Sequence, residues 1–133
     1  MKYLLDTTTI SDYLRGNQNI INHFRVTSFK VIFVSSITKF EVEYGMVKNI
    51  KARKLFGEQV ELLYSQIGTI YFDDDCAKVA AKIKNQLFTA GTPVAIEDLL
   101  IGAIALNHGL TVVTSNTKHF KKIPDLKIVD WQK

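Results

Sequence analysis

The chain has 133 residues, 47% of them hydrophobic and 23% charged, which suits one globular domain able to bury a sizeable core. No apolar run approaches the roughly 18–20 residues of a membrane span, and the five residues before Asp6 are too short for a secretory leader, so a cytoplasmic protein is expected. Seventeen Lys and Arg against 13 Asp and Glu give +4, an excess that fits either a solvated surface or a polyanionic partner.

The first element is an apolar run, Tyr3–Leu5, which reads as a short strand. Asp6 follows it directly, then Thr7, Thr8 and Thr9, and helical spacing over Thr9–Arg15 and Asn19–Val26. A carboxylate where a buried strand gives way to a helix stands where open α/β sheets hold their ligands. It also stands where a helix wants an N-cap. Val31–Ser35 reads as the second strand. The helix expected over Thr38–Lys48 carries Glu41, and Thr38-Lys39-Phe40-Glu41 spells a capping box, with Glu reaching back to the cap residue. Glu43, two residues on, points to the other side of the helix. Lys51–Gln66 continues as helix.

Thr69–Phe72 reads as the third strand. Asp73, Asp74 and Asp75 end it and open the helix Asp75–Phe88. Three consecutive carboxylates project in different directions, so capping and helix-dipole effects account for them better than a metal does. Cys76 is the only cysteine; it can form no internal disulfide and reads as a buried, inert thiol. Gly91-Thr92-Pro93 breaks the chain. Ile96–His108 is apolar nearly all round and is expected to be buried, with Gly109 as its stop. Asp98 lies in its first turn beside Glu97, suited to the helix dipole yet flanked by Leu99, Leu100 and Ile101. Leu110–Thr114 and Leu126–Val129 are the last two strands. Between them, Thr114-Ser115-Asn116-Thr117 forms a polar turn before Lys118-His119-Phe120. Alternating strands and helices argue for a mostly parallel five-stranded sheet covered on both faces. Asp6, Glu41 and Asp98 together suggest an acidic cup for a hard cation.

Four segments carry a family resemblance. Tyr3-Leu4-Leu5-Asp6-Thr7 resembles the opening of PIN-domain proteins. Ser35-Ser36-Ile37-Thr38-Lys39-Phe40-Glu41-Val42 with Tyr44-Gly45 resembles their second motif, and Asp98-Leu99-Leu100-Ile101-Gly102-Ala103 the third. Leu110–Thr117 with Phe120 resembles the fourth, and Asp130-Trp131 the last strand. The match runs in order over nearly the whole chain, residues 1–133, at the size of the stand-alone bacterial members, the VapC toxins.

The resemblance implies a Rossmann-like PIN domain and a divalent-metal endoribonuclease using Mg²⁺ or Mn²⁺. Its substrate would be RNA, often transfer RNA, cut to leave a 5′-phosphate and a 3′-hydroxyl. It assigns Asp6, Glu41 and Asp98 as the acidic site, with Asp6 and Asp98 on the metal. Thr7, Thr114, Asn116 and His119 support it. It also implies a VapB-type antitoxin whose C-terminal tail fills the active site, and a homodimer within a heterotetramer or larger complex. Two positions depart from the family pattern. Thr8 stands where Asn is common, and His119 where an Asp or Glu usually precedes the Phe. The second departure leaves open a module that binds antitoxin or RNA without cutting.

Overall fold

The computed structural model describes residues 1–133. Five strands form one sheet: β1 (Tyr3–Leu5), β2 (Ile32–Ser35), β3 (Gly68–Ile70), β4 (Thr111–Val113) and β5 (Ile128–Val129). Their order is β3-β2-β1-β4-β5, and all four pairings are parallel. Seven α-helices connect them: α1 (Thr7–Leu14), α2 (Gln18–Val26), α3 (Ser36–Lys48), α4 (Ile50–Gln66), α5 (Asp74–Ala90), α6 (Ile96–His108) and α7 (Thr117–Phe120). No helix is long and apolar enough to cross a membrane.

Successive residues of a strand point to opposite faces, and here both faces are buried. Leu4 of β1 and Val112 of β4 pack with Cys76, Ile83 and Leu87 of α5 and Ile101 and Ile104 of α6. Their neighbours Leu5 and Val113 turn to the other face and pack with Ile10, Ile20, Phe24, Leu63 and Trp131. Burial on both sides explains why the strands read as unbroken apolar runs. Gly102 has a packing reason as well: a Cβ there would lie 2.6 Å from Ile123 Cδ1.

The expected elements are all present, and the parallel sheet is as anticipated. Several boundaries move, β3 ending at Ile70 and β5 starting at Ile128 among them, and three of the shifts have identifiable reasons. Helix α1 starts at Thr7, two residues early, because Asp6 already has the extended backbone of an N-cap position. Helix α3 starts at Ser36, and its cap is Ser35, whose hydroxyl accepts the Thr38 N–H at 3.0 Å. The capping box expected over Thr38–Glu41 therefore does not form: Thr38 lies inside the helix, and Glu41 is free for another partner. Helix α5 runs on to Ala90 before Gly91 closes it at φ 70°, a left-handed conformation that glycine adopts without strain.

Strand order reverses between β1 and β4, since β1 leads through β2 to β3 on one side and β4 to β5 on the other. That reversal opens a crevice beyond the carboxyl ends of β1 and β4, where ligands of open α/β sheets bind. Asp6 follows the last residue of β1, and Thr114 follows the last residue of β4.

Candidate active site

The sheet ladder itself aims Asp6. Its N–H bonds to the Val113 carbonyl at 2.9 Å, and the Thr9 hydroxyl donates to the same carbonyl at 2.8 Å. The Asp6 side chain is 3% exposed. It stands at an N-cap position yet makes no capping hydrogen bond. Its Oδ2 accepts from the Thr114 hydroxyl at 2.8 Å and from the Thr8 hydroxyl at 3.2 Å. Both hydroxyl bonds fall on one oxygen, Oδ2. Burial pushes the Asp6 carboxyl above the ordinary carboxylate range. The Thr114 hydroxyl, and after it the dipoles of the Thr7 and Thr8 amides, hold it back down.

Glu41 arrives from the first turns of α3 and accepts from the Thr7 hydroxyl at 2.6 Å. Thr7 thus fastens the start of α1 to α3 and points Glu41 toward Asp6. Asp98 comes from the first turn of α6 and is 14% exposed. Burial raises both carboxyls. For Glu41 the negative charges of Asp6, Asp98 and Glu97 add to the rise while Thr7 opposes it. For Asp98 the charge of Asp6 adds to it, and the His119 ring opposes it. The three acids therefore share one recess and repel one another across it.

The loop after β4 closes the remaining side. The Thr114 oxygen, besides serving Asp6, accepts the Asn116 N–H at 2.9 Å. Asn116 places its side-chain amide 2.8 Å from His119 Nδ1, and that same nitrogen lies 3.4 Å from Asp98 Oδ2. With the amide nitrogen donating, Nδ1 is an acceptor and the ring is neutral. A charged ring would donate from Nδ1 to Asp98 and requires the amide to present its oxygen instead. In either state His119 occupies the mouth of the recess beside Asp98.

All seven residues singled out in the sequence, Asp6, Thr7, Glu41, Asp98, Thr114, Asn116 and His119, are brought to this recess. Thr8 belongs with them. Its hydroxyl donates to Asp6 and accepts the Ser115 N–H at 3.2 Å, so it ties α1 to the loop after β4. A hydroxyl can donate and accept at once, which is the property an asparagine would bring to that position. Asp73 caps α5 by accepting the Cys76 N–H at 3.0 Å, as expected for a structural role, and burial raises the Cys76 thiol. Asp73, Cys76 and His108 bring their ligand atoms within 4.8 Å of one another. His108 is ten residues along α6 from Asp98, about 15 Å at the helical rise, so this group stands apart from the acid recess.

Three carboxylates converging at the switch point of a wholly parallel sheet define an α/β protein with an acid cup. The PIN domain model matches residues 3–126. The chain is 31% identical over 132 residues to the tRNA(fMet)-specific endonuclease VapC of Salmonella typhimurium, covering 98% of each. It is 30% identical over 136 residues to the Ribonuclease VapC1 of Haemophilus influenzae, covering both chains completely. Its fold superposes with a TM-score of 0.90 on a DNA-bound VapBC from Salmonella typhimurium, at 31% identity and 98% coverage of each chain. The chain belongs to the PIN-domain family, among its VapC ribonucleases.

Proposed function

We propose that the chain, as one domain over residues 1–133, is the toxin of a toxin–antitoxin pair. It is a cytoplasmic endoribonuclease that hydrolyses RNA phosphodiester bonds with the help of Mg²⁺ or Mn²⁺, with transfer RNA as the first substrate to try. The observation that carries this reading is the acid cup: Asp6 buried, Glu41 and Asp98 half-buried beside it, and all three carboxyls raised. Mutual repulsion at that depth is costly, and a hard cation with its preference for oxygen ligands is what would relieve it. The donor set fits such an ion. The Asp6 and Asp98 carboxylates would hold it, with Glu41 completing the cup.

When bound, the cation would acidify water and neutralise charge on the phosphate under attack. Glu41, held by Thr7, would accept a hydrogen bond from the attacking water and orient it. Asn116, at the mouth of the recess, would fix phosphate or water. Water oxygen bonds to phosphorus as the bond to O3′ breaks in line. The proton given up by water is matched by the one O3′ gains, leaving a 5′-phosphate and a 3′-hydroxyl. Splayed single strands or loops of RNA can bring their backbone to a recessed site.

The antitoxin partner has a place to dock. An apolar groove of about 290 Å³ opens from Thr7 and Glu41 and runs between α1, α3 and α4, past Ile10, Leu14, Val42, Met46 and Phe56. A partner segment lying there would end at the acid cup and block it. A dimeric toxin in a larger complex with its antitoxin is consistent with the VapBC and FitAB assemblies among the fold relatives.

A second reading, binding without cleavage, rests on His119 standing where a fourth acid would be. One experiment separates them. Purified protein is incubated with total transfer RNA and Mn²⁺ or Mg²⁺, and the new ends are mapped. The enzyme reading expects cleavage that Asp6→Asn abolishes. Retained cleavage under excess chelator would sink the cation's role, and no cleavage with either metal would favour the binding module.

A further inference from the structure

Three side chains beside the cup are used by nothing described so far. Phe40, Tyr44 and Lys48 follow one another at one-turn intervals on the exposed side of α3. Phe40 is 60% and Tyr44 55% exposed, which is high for large rings on a helix whose other face is packed. Their centroids are 6.4 Å apart with planes only 19° from parallel. The Lys48 ammonium sits over the Tyr44 ring at 5.1 Å, and Lys48 has no carboxylate within ion-pair distance. Together with Thr7, Glu41 and Glu97 these residues line an open cavity of about 470 Å³. One end of that cavity therefore reaches the Glu41 side of the acid cup.

Resting on the ribonuclease reading above, we propose that Phe40, Tyr44 and Lys48 form a nucleotide-binding ledge. The rings stack on bases of single-stranded RNA beside the scissile phosphate, and Lys48 takes a neighbouring phosphate. The charge pattern sets the direction of the strand. Glu41 and Glu97 make the cup end negative, so a phosphate enters there only against a bound cation. At the far end the Lys48 ammonium, with no carboxylate to neutralise it, accepts a phosphate directly. Between these two ends the surface is aromatic rather than aliphatic, and every base has a face that can stack on it. The chain's +4 charge favours the same polyanion.

An apolar protein partner is the competing occupant, because Val47 is also exposed, at 64%, in the next turn. Nucleic acid is favoured over it by the paired ring planes, the cation without a carboxylate partner and the continuity with the cup.

The test uses full-length protein and a fluorescent single-stranded RNA. Binding is measured at the intact cup with Ca²⁺ in place of Mn²⁺, and the recovered RNA is checked for full length so that cleavage does not intrude. Phe40→Leu and Tyr44→Leu alter exposed side chains, and an unchanged melting curve confirms that the fold is intact. Each ring is expected to contribute about 5- to 150-fold in affinity, the equivalent of ~1–3 kcal/mol of stacking per base. Lys48→Met should flatten the dependence of log K on log salt by about 0.7, the share of one phosphate contact on a single strand. With Mn²⁺ in place of Ca²⁺, the ring variants should raise KM more than they lower kcat. RNA affinity within about twofold of the parent for the double ring variant would overturn the ledge. So would a loss of antitoxin binding or of self-association in sedimentation with RNA affinity intact, which would make the surface a protein contact. If the parent itself neither binds nor cleaves RNA, the ribonuclease reading falls, and the ledge with it.

Discussion

Replacing Thr114 by valine would take one hydroxyl from beneath the cup while keeping its volume. That hydroxyl donates to Asp6 Oδ2 at 2.8 Å and accepts the Asn116 N–H at 2.9 Å, and Thr114 is fully buried. A hydrogen bond to an ionised group contributes about 1.5–3 kcal/mol and a neutral one about 0.5–1.5. Water cannot replace either at a buried site, so Thr114→Val should cost about 2–4 kcal/mol in metal-free protein at neutral pH. For a domain of this size that is a fall in Tm of about 6–15 °C. Thr114→Ser keeps the hydroxyl and should cost only about 0.8 kcal/mol for the lost methyl. The stronger bond exists only while Asp6 is ionised, so removing it raises the Asp6 carboxyl further. The cost is greatest above the folded-state pKa of Asp6 and shrinks as pH falls through it. Because Asp6 loses its orientation, cleavage should fall about 10- to 100-fold, the usual effect of removing a partner behind a metal-ligating group. Urea unfolding in chelator at fixed protein concentration, at pH 7.5 and again in mild acid, supplies the check. A cost under about 0.5 kcal/mol, or one equal at both pH values, would refute the reasoning.

Two further outcomes follow from the same balance of forces. The cup acids hold their protons more tightly folded than at the ordinary values of 3.8 for Asp and 4.5 for Glu, so their contribution to metal-free stability falls as pH rises from that range through the folded values. Asp6→Asn removes one charge and its repulsion of the other two. In chelator it should melt above the parent at pH 8 by a margin that narrows toward pH 4, and adding Mn²⁺ should raise the melting point of the parent alone; a margin independent of pH would contradict the shared cup. Tyr64 carries a buried hydroxyl with no hydrogen-bond partner, so Tyr64→Phe should stabilise the fold by about 1 kcal/mol, relieving an unmet desolvation cost while keeping the ring that Lys39 covers at 4.7 Å. Urea unfolding would show a higher midpoint, and a loss of stability would mean that the hydroxyl is satisfied in solution.

The strands were legible because a sheet buried on both faces needs unbroken apolar runs, and Tyr3–Leu5 and Leu110–Thr114 have them. Asp6 and Asp98 were legible because one directly follows a strand and the other opens a helix, and Glu41 because its local pattern placed a helix start there. What the chain could not display was which end-of-element acid would cap and which would not. Thr38-Lys39-Phe40-Glu41 has the composition of a capping box, yet Ser35 takes the cap three residues earlier. That decision is tertiary: Thr7, 34 residues away, offers Glu41 a hydroxyl at 2.6 Å, and no local pattern encodes that offer. The short helix α7 was hidden for a similar reason, since four residues carry no periodicity and its last residue, Phe120, is anchored by burial in the core.

The same competition explains why Asp6 sits at an N-cap position without capping. A free helix start would draw its carboxylate to the amides of the first turn. Here the hydroxyls of Thr8 and Thr114 draw Oδ2 away, and the Thr8 oxygen takes up the Ser115 amide in exchange. Helix α1 thus goes without a side-chain cap, a loss of about 1 kcal/mol, and both hydroxyl bonds fall on Oδ2. Stability given up at a helix end, beside three acids that repel one another, is the pattern expected where a ligand completes a structure. Restoring the cap would therefore be predicted to stabilise the empty fold and to weaken its hold on a cation.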